Sequence, residues 1–528
     1  MALCGIQASP RAYVHSSAGS FRTRCLVYWH RVKHAWRDNP TAIAPAWGLS
    51  GIVLIGTLLR FAGLGQESIW LDEVTSIIIA RMPLSSVVAW AAGDIHPPLY
   101  YVVLHFWLSF GESEFAVRAL SALLGVLTIA VIYALAAKLF DRRIGLVSAL
   151  LLALAPLHIW YSQEARMYVM VTALSLLSSY LMILALRGQQ LRYWVAYIAT
   201  SAFAAYTHYF ALYALVFLNV FAIYKLRSKD RVSWRRWLAA QVAVALVFAP
   251  WLPVLYHQVT TGGGGWVERS LGKPSLYTLV DTWLYFSIGL DNQLYPVLLR
   301  RAAYALFAVC ALAAVLPLLG WLHGRVRRQA EREGVVFCLI YLSLPVLTVW
   351  TLSQAKPMYS VRYLLIFLPP YCMLVAKGIC ALRWKGASIA VALLLAMTLL
   401  VGSWNAWRTA QNPDWRGVTS YVLAHAQPKD VVLFSPRWNA KPFDYYGRGA
   451  VDINLDLPIP VTSDAAEAVA DDIAQRYDRV WLVWTRGHYS DPEGVVTQLL
   501  QSRYEMLEDR DFGVDRLILF DLRARGRS

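Results

Sequence analysis

Long apolar segments separated by short polar ones recur along most of the chain. Residues 119–137 and 386–404, for example, contain no Asp, Glu, Lys or Arg. Each is close to the ~20 residues that an apolar helix needs to cross ~30 Å of hydrocarbon. We therefore predict about eleven membrane-spanning helices, or roughly thirteen if paired short segments are divided differently. The predicted spans lie near residues 43–64, 117–138, 144–161, 167–186, 193–207, 209–224, 237–256, 302–322, 334–354, 358–376 and 386–406.

One apolar segment, residues 97–110, does not fit this series because it is shorter than a bilayer-crossing helix. Counting it as a span would also place Asp141, Arg142 and Arg143 on the opposite side from the other basic clusters. We therefore predict an interfacial or re-entrant helix over these residues.

The chain changes character after residue 406, where β-rich runs alternate with helical patterns. The β-rich runs lie at 431–434, 479–484 and 516–520, and the helical ones at 464–477 and 494–507. This alternation predicts a small α/β domain over residues 407–528. An odd number of spans after a cytoplasmic start places this domain on the extracytoplasmic side. We find no catalytic motif in it, so a stabilising or shielding role is favoured over substrate capture.

Composition and charge indicate a membrane protein and argue against nucleic-acid binding. The chain is 58% hydrophobic and only 16% charged, whereas soluble proteins carry about 25% charged residues. Its net charge of +16 comes from basic residues between the apolar segments, which is the pattern of the positive-inside rule. Five basic clusters follow alternate spans, on the side that we assign to the cytoplasm. They are Lys138, Arg142 and Arg143; Arg187 and Arg192; Lys225, Arg227, Lys229, Arg235 and Arg236; Arg325, Arg327, Arg328 and Arg332; and Lys377, Arg383 and Lys385.

Three further features have structural interpretations. Residues 1–42 are basic and polar without a leading apolar core, so we expect a cytoplasmic tail and not a signal peptide. Gly262–Gly265 is interpreted as a lid hinge or a turn. The six cysteines all lie outside the predicted external segments, so we expect no disulfide framework. They are Cys4, Cys25, Cys310, Cys338, Cys372 and Cys380.

Charged and polar residues concentrate in loops on the predicted extracytoplasmic face. The first such loop contains residues 70–73 and 94–98, and the others contain residues 161–168, 206–209 and 356–363. Ionisable residues at this depth are costly unless they pair or line a wet cavity, so a functional site is the first hypothesis.

These loops supply carboxylates and cations next to a lipid phase. Asp72 can take a proton from an attacking hydroxyl, and Arg166 and Arg362 match the geometry of a phosphate. Four other side chains carry oxygen or nitrogen donors for a divalent ion. They are Asp94, His96, Glu164 and His208.

Simpler interpretations remain open for each residue. Asp72 and Glu73 would also suit a solvated loop start, and Arg166 beside Glu164 would suit a local ion pair. Arg362 at the end of a span would also suit snorkelling to the interface, and a lone histidine at a helix tip such as His208 is more often structural. The functional hypothesis rests on their convergence on one face.

The motifs resemble those of a known group of membrane enzymes. They are Leu71-Asp72-Glu73, His96-Pro97-Pro98-Leu99-Tyr100, Gln163-Glu164-Ala165-Arg166 and Arg362-Tyr363. Together they are similar to the polyprenyl-phosphate-dependent glycosyltransferases of the GT-C fold, in the bacterial branch of the protein O-mannosyltransferase and lipid A aminoarabinose transferase superfamily. The resemblance covers roughly residues 45–410 and implies an all-α polytopic GT-C domain, over residues 43–406, followed by the α/β domain.

The resemblance also implies roles for individual residues. Asp72, with Glu73, takes the catalytic position as general base or acceptor-orienting residue. The substrate-binding positions, which include the contacts to the lipid phosphate, fall on His96, Glu164, Arg166, Tyr359 and Arg362. Some relatives have a lysine in place of His96. A divalent metal ion is left open because its use varies in the superfamily, and the candidate ligands are Asp94, Glu164 and His208.

The leading hypothesis is therefore a multi-pass inner-membrane enzyme of cell-envelope glycan synthesis. It would move a sugar, with inversion, from a polyprenyl-phosphate donor to a hydroxyl of a glycan, lipid or protein. The rival hypothesis is a secondary transporter or flippase. A transporter is expected to show broken helices near the midplane and internal repeats, whereas the two halves of this chain do not resemble each other. A polymerase or ligase of surface glycans is a closer alternative that differs in the acceptor.

Overall fold

The structure is a computed structural model. It describes residues 40–227, 231–261, 271–289, 329–408 and 412–525, apart from 436, 455–456, 458–460, 486–490, 492 and 514, together with isolated positions between 298 and 312. Several predicted features fall outside the described residues. These are the tail up to residue 39, Gly262–Gly265, most of the span at 302–322, Cys4, Cys25, Cys310, Lys229, Arg325, Arg327 and Arg328.

Residues 40–408 are largely helical wherever they are described, as the apolar pattern predicts. The helices are α1 (Pro40–Phe61), α2 (Leu71–Ala80), α3 (Leu84–Gly93), α4 (Leu99–Trp107), α5 (Glu114–Leu139), α6 (Arg142–Leu154), α7 (Pro156–Ser162), α8 (Tyr168–Gly188), α9 (Leu191–Thr207), α10 (Phe210–Leu226), α11 (Arg231–Phe248), α12 (Leu252–Thr261), α13 (Leu276–Ile288), α14 (Gln329–Leu352), α15 (Val361–Leu364), α16 (Leu368–Cys380) and α17 (Lys385–Arg408). A helix lies at each predicted span that the structure describes.

Six of the described helical segments are long and apolar enough to cross a membrane, or seven if the bent pair α6–α7 forms one span. They are Glu114–Leu139, Tyr168–Gly188, Ser233–Thr261, Glu331–Leu352, Val361–Cys380 and Lys385–Trp404. Other predicted spans are shorter helices, such as α9 and α10 with 17 residues each. The larger predicted number of spans therefore stays a prediction. The segment 97–110 contains α4, which has 9 residues and is followed by a short 3-10 turn.

A 60° bend separates α6 from α7. Pro156 begins α7 and has no N–H to donate to the carbonyl of Leu152, so the helical hydrogen bonding is interrupted there. Arg60 of α1 supplies side-chain donors to the carbonyls at the bend. Its Nη2 donates to Leu152 O (3.2 Å) and its Nη1 to Ala153 O (3.0 Å). The bend therefore has a side-chain partner on another helix.

Contacts between helices bring four of the predicted basic clusters to one end of the helical domain. These contacts are the ion pairs Lys225–Glu333 and Lys377–Glu331 and the hydrogen bonds from Arg187 to the Lys138 carbonyl and from Arg236 to the Gln189 carbonyl. The position of these clusters at one end of the domain agrees with the sequence-based expectation that they lie on the same side of the membrane.

The C-terminal residues form a five-stranded sheet with helices on both faces. The strands are β1 (Asp430–Ser435), β2 (Asp452–Asn454), β3 (Arg479–Thr485), β4 (Tyr504–Asp511) and β5 (Asp515–Arg525), in the order β2-β1-β3-β5-β4. β1 is parallel to β2 and β3, whereas β5 is antiparallel to β3 and β4. The helices are α18 (Trp415–His425), α19 (Ala440–Gly447), α20 (Ser463–Arg476) and α21 (Val495–Arg503).

Alternating residues of the strands supply the two faces of this domain. Val431 and Leu433 pack with α20 and α21, while Val432 and Phe434 pack with α18 and α19. The predicted α/β class and the three predicted strands are confirmed. The predicted helix at 494–507 is wrong in its last part, because residues 504–507 pair with β5 as part of β4. Long-range pairing has overridden the local helical pattern there.

Candidate functional site

Glu73 is an anchor at the centre of the site. It is fully buried, and its carboxylate accepts from Arg118 Nε (2.8 Å) and Nη2 (2.7 Å) and from the backbone N–H of Ala165 (2.9 Å). Arg118 also donates to the carbonyls of Leu64 (3.1 Å), Glu67 (2.8 Å) and Ser68 (2.9 Å). These contacts tie the loop before α2 to α5 and to the loop before α8. They favour a positioning role for Glu73 over the catalytic one suggested by the sequence.

Replacing Glu73 with Gln is expected to destabilise the protein by about 3 kcal/mol or more, because Arg118 would keep a buried charge without its carboxylate partner. The measurement is reversible denaturant unfolding in detergent micelles. Glu112→Gln is the matched control, since Glu112 pairs with Arg81 at side chains that are 49% and 44% exposed. Exposed pairs contribute about 1 kcal/mol or less. Equal losses in the two variants would contradict the anchoring role.

Asp72, in contrast, keeps its carboxylate accessible between two arginines. Arg362 Nη1 lies 3.4 Å from Asp72 Oδ2, and the two side chains are 34% and 28% exposed. This distance exceeds the ~2.8 Å of a tight charge-assisted hydrogen bond. Arg166 Nη1 donates to the backbone carbonyl of Asp72 (3.3 Å) and to Ser76 Oγ (3.1 Å). A loosely paired carboxylate and two guanidinium groups therefore meet at the start of α2.

Arg166 retains donor capacity although it is buried. The residue is 5% exposed, and its Nε has no hydrogen-bond partner among the described residues. Its guanidinium lies 5.8 Å from the ring centroid of Tyr168. Its hydrogen bonds to Asp72 O and Ser76 Oγ orient it toward α2, which disfavours the alternative interpretation of a local ion pair with Glu164.

His96 and His208 form a ring pair beside these residues, with centroids 5.5 Å apart. His96 Nδ1 lies 3.2 Å from Asp94 Oδ2, and His208 Nδ1 accepts from the backbone N–H of Phe210 (3.1 Å). Burial lowers the pKa of His96 and lowers that of His208 further. Both rings are therefore neutral near pH 7. A neutral His96 that donates through Nδ1 presents Nε2 as an acceptor, which suits a hydroxyl better than a phosphate.

Glu164 is buried two residues beyond the end of α7, and Trp160 Nε1 of that helix donates to its Oε1 (2.7 Å). Burial, together with the negative charge of Glu73, raises the pKa of Glu164 to about 8. Its carboxyl is therefore mostly protonated at neutral pH, where it can donate a hydrogen bond. It also lines a cavity of about 500 Å³ whose walls are mainly apolar residues of α1, α7 and α17.

The stability of the wild type relative to Glu164→Gln is expected to fall with pH. The unfolded carboxyl ionises near pH 4.5, while the folded one stays protonated up to about pH 8. The free energy of unfolding of the wild type relative to Glu164→Gln should therefore be highest below pH 4.5. It should decline by about 1.4 kcal/mol per pH unit up to pH 8 and then level off. Denaturant unfolding of both proteins from pH 5 to 9 measures the difference. Parallel stability curves would contradict the raised pKa.

Tyr359 is placed by a hydrogen bond between its hydroxyl and Thr282 of α13 (2.7 Å).

The metal ligands that the sequence suggests are not grouped as a metal site requires. Within the described part of the chain, no three His, Cys, Asp or Glu side chains are grouped so that they could hold a metal ion. Asp94, Glu164 and His208 therefore do not form a preformed metal centre, and the side chains that the structure describes around them do not fit one.

Arg118 and the two tyrosines, Tyr168 and Tyr363, were not identified from the sequence as part of the site. Tyr168 and Tyr363 pack against His208, with centroid distances of 6.1 and 5.1 Å. Arg118 carried a usable signal, since a charge just inside an apolar span is expensive and therefore has a partner. The tyrosines carried none, because interfacial spans are rich in aromatic residues in any case.

Comparisons with known proteins agree with this architecture. Residues 95–257 match the sequence profile of the family described as dolichyl-phosphate-mannose-protein mannosyltransferase. The structure is similar to ArnT from Cupriavidus metallidurans in the apo state, with a TM-score of 0.54 and 13% identity over 91% of this chain and 98% of that one. ArnT from the same organism bound to undecaprenyl phosphate also matches, with a TM-score of 0.54 and 14% identity over the same shares of both chains.

The Archaeoglobus fulgidus oligosaccharyltransferase in complex with Zn and sulfate also matches. Its TM-score is 0.54 at 14% identity, over 87% of this chain and 71% of that one. No curated protein sequence matches the chain. At these identities the similarity shows the fold. The resemblance to GT-C glycosyltransferases that use polyprenyl phosphates, drawn above from sequence motifs, is confirmed at that level.

Proposed function

We propose that this chain is an integral membrane glycosyltransferase. It moves a sugar from a polyprenyl-phosphate donor to a hydroxyl of a cell-envelope glycan, lipid or protein, with inversion. The reaction takes place on the extracytoplasmic face of the inner membrane. The observation that carries the proposal is the accessible Asp72 carboxylate next to the guanidinium groups of Arg362 and Arg166.

This arrangement supplies the two functions that the transfer needs. The negatively charged phosphate of the donor binds to Arg362 and Arg166, since guanidinium groups match phosphate oxygens. Arg362 then exchanges its loose contact with Asp72 for the phosphate. Asp72 is released as a base for the acceptor hydroxyl.

The proposed step balances as a single displacement. The acceptor hydroxyl passes its proton to Asp72, and its oxygen forms a bond to the anomeric carbon on the side opposite the phosphate. The bond from that carbon to the phosphate oxygen breaks, and the electron pair leaves with the phosphate. Arg362 and Arg166 stabilise the negative charge that develops there.

The other predicted substrate contacts take roles that follow from their surroundings. The neutral His96, oriented by Asp94, accepts a hydrogen bond from a sugar or acceptor hydroxyl. The protonated Glu164 donates one. Tyr359, two residues before α15, contributes a substrate contact, and Glu73 anchors the start of α2, where Asp72 lies. No step requires a metal ion.

The test uses purified protein in lipid nanodiscs with defined polyprenyl-phosphate sugars and an extract of cell-envelope acceptors. Mass spectrometry is expected to show an acceptor heavier by one sugar residue, together with free polyprenyl phosphate. The transporter hypothesis gives a different result. Unchanged donor in nanodiscs, with movement of intact donor between leaflets of sealed proteoliposomes, would contradict the transferase proposal.

A further inference from the structure

The loop before Asp72 is held from two sides. Its inner side is bound by Arg118, which donates to three of its carbonyls. Its outer side is bound by the C-terminal sheet domain. Ser68 Oγ donates to Asp414 Oδ1 (2.9 Å) and accepts from the backbone N–H of Arg416 (3.1 Å), while Arg416 Nη2 donates to the carbonyl of Gln66 (2.7 Å).

Tyr446 of α19 makes the contact nearest to the catalytic position. Its hydroxyl accepts from the backbone N–H of Ile69 (2.8 Å) and donates to Glu114 Oε1 (3.0 Å). Arg416 Nη1 binds the same carboxylate (3.1 Å). Ile69 lies three residues before Asp72, and Glu114 begins α5, which also carries Arg118. One hydroxyl therefore links the start of the Asp72 helix to the helix that anchors it.

A second set of contacts reaches the end of the same helical region. Tyr445 Oη donates to the Glu112 carbonyl (3.2 Å), and the Arg81 guanidinium lies 5.4 Å from the Tyr445 ring centroid. Arg81 in turn donates to the Glu112 carboxylate from Nε (3.2 Å) and Nη2 (2.6 Å). The domain thus contacts both ends of α2.

We propose that the C-terminal domain is a positioning element for Asp72, acting through Tyr446 and Arg416. The inference rests on the proposed function, since Asp72 is the base only in that reaction. It assigns to this domain a role in the rate of transfer and not in the capture of substrate. A small displacement of a reacting group lowers a rate strongly without weakening substrate binding.

Tyr446→Phe in the full chain tests the proposal. The ring packs on the α18–α19 side of the domain core, so Phe keeps that packing and removes only the hydroxyl. Tyr504→Phe is the matched control, because Tyr504 packs on the opposite face of the sheet, with α20 and α21. We expect Tyr446→Phe to lower kcat about 10-fold with donor and acceptor KM unchanged, and amide hydrogen exchange over residues 66–73 to become faster. Tyr504→Phe should change neither.

Two results would overturn the proposal. An unchanged kcat in Tyr446→Phe would do so, and so would a raised acceptor KM at unchanged kcat, which indicates substrate capture. If the wild type shows no transfer, it is the proposed function that fails. Hydrogen exchange then decides alone: faster exchange of residues 66–73 in Tyr446→Phe supports the positioning contact, and unchanged exchange contradicts it.

Discussion

Replacing Asp72 with Asn is expected to lower kcat for sugar transfer by about 10²- to 10⁴-fold, the range that a general base contributes. The amide cannot take the proton of the acceptor hydroxyl. The fold should be retained, because the Asp72 side chain is 28% exposed and is in contact only loosely with Arg362. Donor binding should also be retained, since the variant removes the carboxylate that competes with phosphate for Arg362. Steady-state kinetics and a donor-binding assay measure the two effects separately.

Asp464→Asn is the matched control, because Asp464 is exposed in the first turn of α20 and far along the chain from the site. It should leave kcat unchanged. Near-normal turnover in Asp72→Asn would contradict the base assignment. A loss of donor binding together with unfolding would instead identify Asp72 as a structural residue.

Replacing Arg362 with Ala is expected to raise the dissociation constant of the polyprenyl-phosphate donor about 10- to 100-fold, since charged hydrogen bonds contribute about 1.5–3 kcal/mol. Arg362→Lys should recover only part of this loss, because an ammonium group keeps the charge but not the two-pronged geometry. Titration of the donor into protein in nanodiscs measures both constants.

Arg192→Ala is the control for the loss of one positive charge. Arg192 is exposed at the start of α9, at the end of the helical domain that carries the basic clusters. It should leave donor affinity unchanged. An Arg362→Ala variant with wild-type affinity would show that Arg362 only snorkels to the interface, the simpler interpretation of its place at the end of a span.

Much of the helical fold could be predicted from the sequence, because the hydropathy of a segment is enough to indicate a membrane helix. Apolar segments without charges have to form helices in a lipid phase, since each backbone polar group needs a partner. The number of spans was harder to predict. Segments such as α9 and α10 are helical at 17 residues, and at the 60° bend before Pro156 the carbonyls of Leu152 and Ala153 accept hydrogen bonds from Arg60 of another helix. Neither feature is encoded in a local hydropathy pattern.

The site was predictable as a set of loops but not as a set of contacts. Asp72 and Glu73 are neighbours in sequence with the same kind of side chain. Only the structure separates them, by placing Arg118 against Glu73 and leaving Asp72 accessible. His96 illustrates the same limit, because its hydrogen bond to Asp94 and its burial make it a neutral acceptor. The type of a residue does not by itself identify the groups with which it forms hydrogen bonds or ion pairs.

The measurement that tests the central claim most directly is the anomeric configuration of the product. Wild-type protein is incubated with a polyprenyl-phosphate sugar of known configuration and an envelope acceptor, and the new linkage is analysed by NMR. A single displacement assisted by Asp72 predicts a new glycosidic bond of inverted configuration and one polyprenyl phosphate released for each bond formed. A retained configuration, or an intact donor after incubation, would contradict the account.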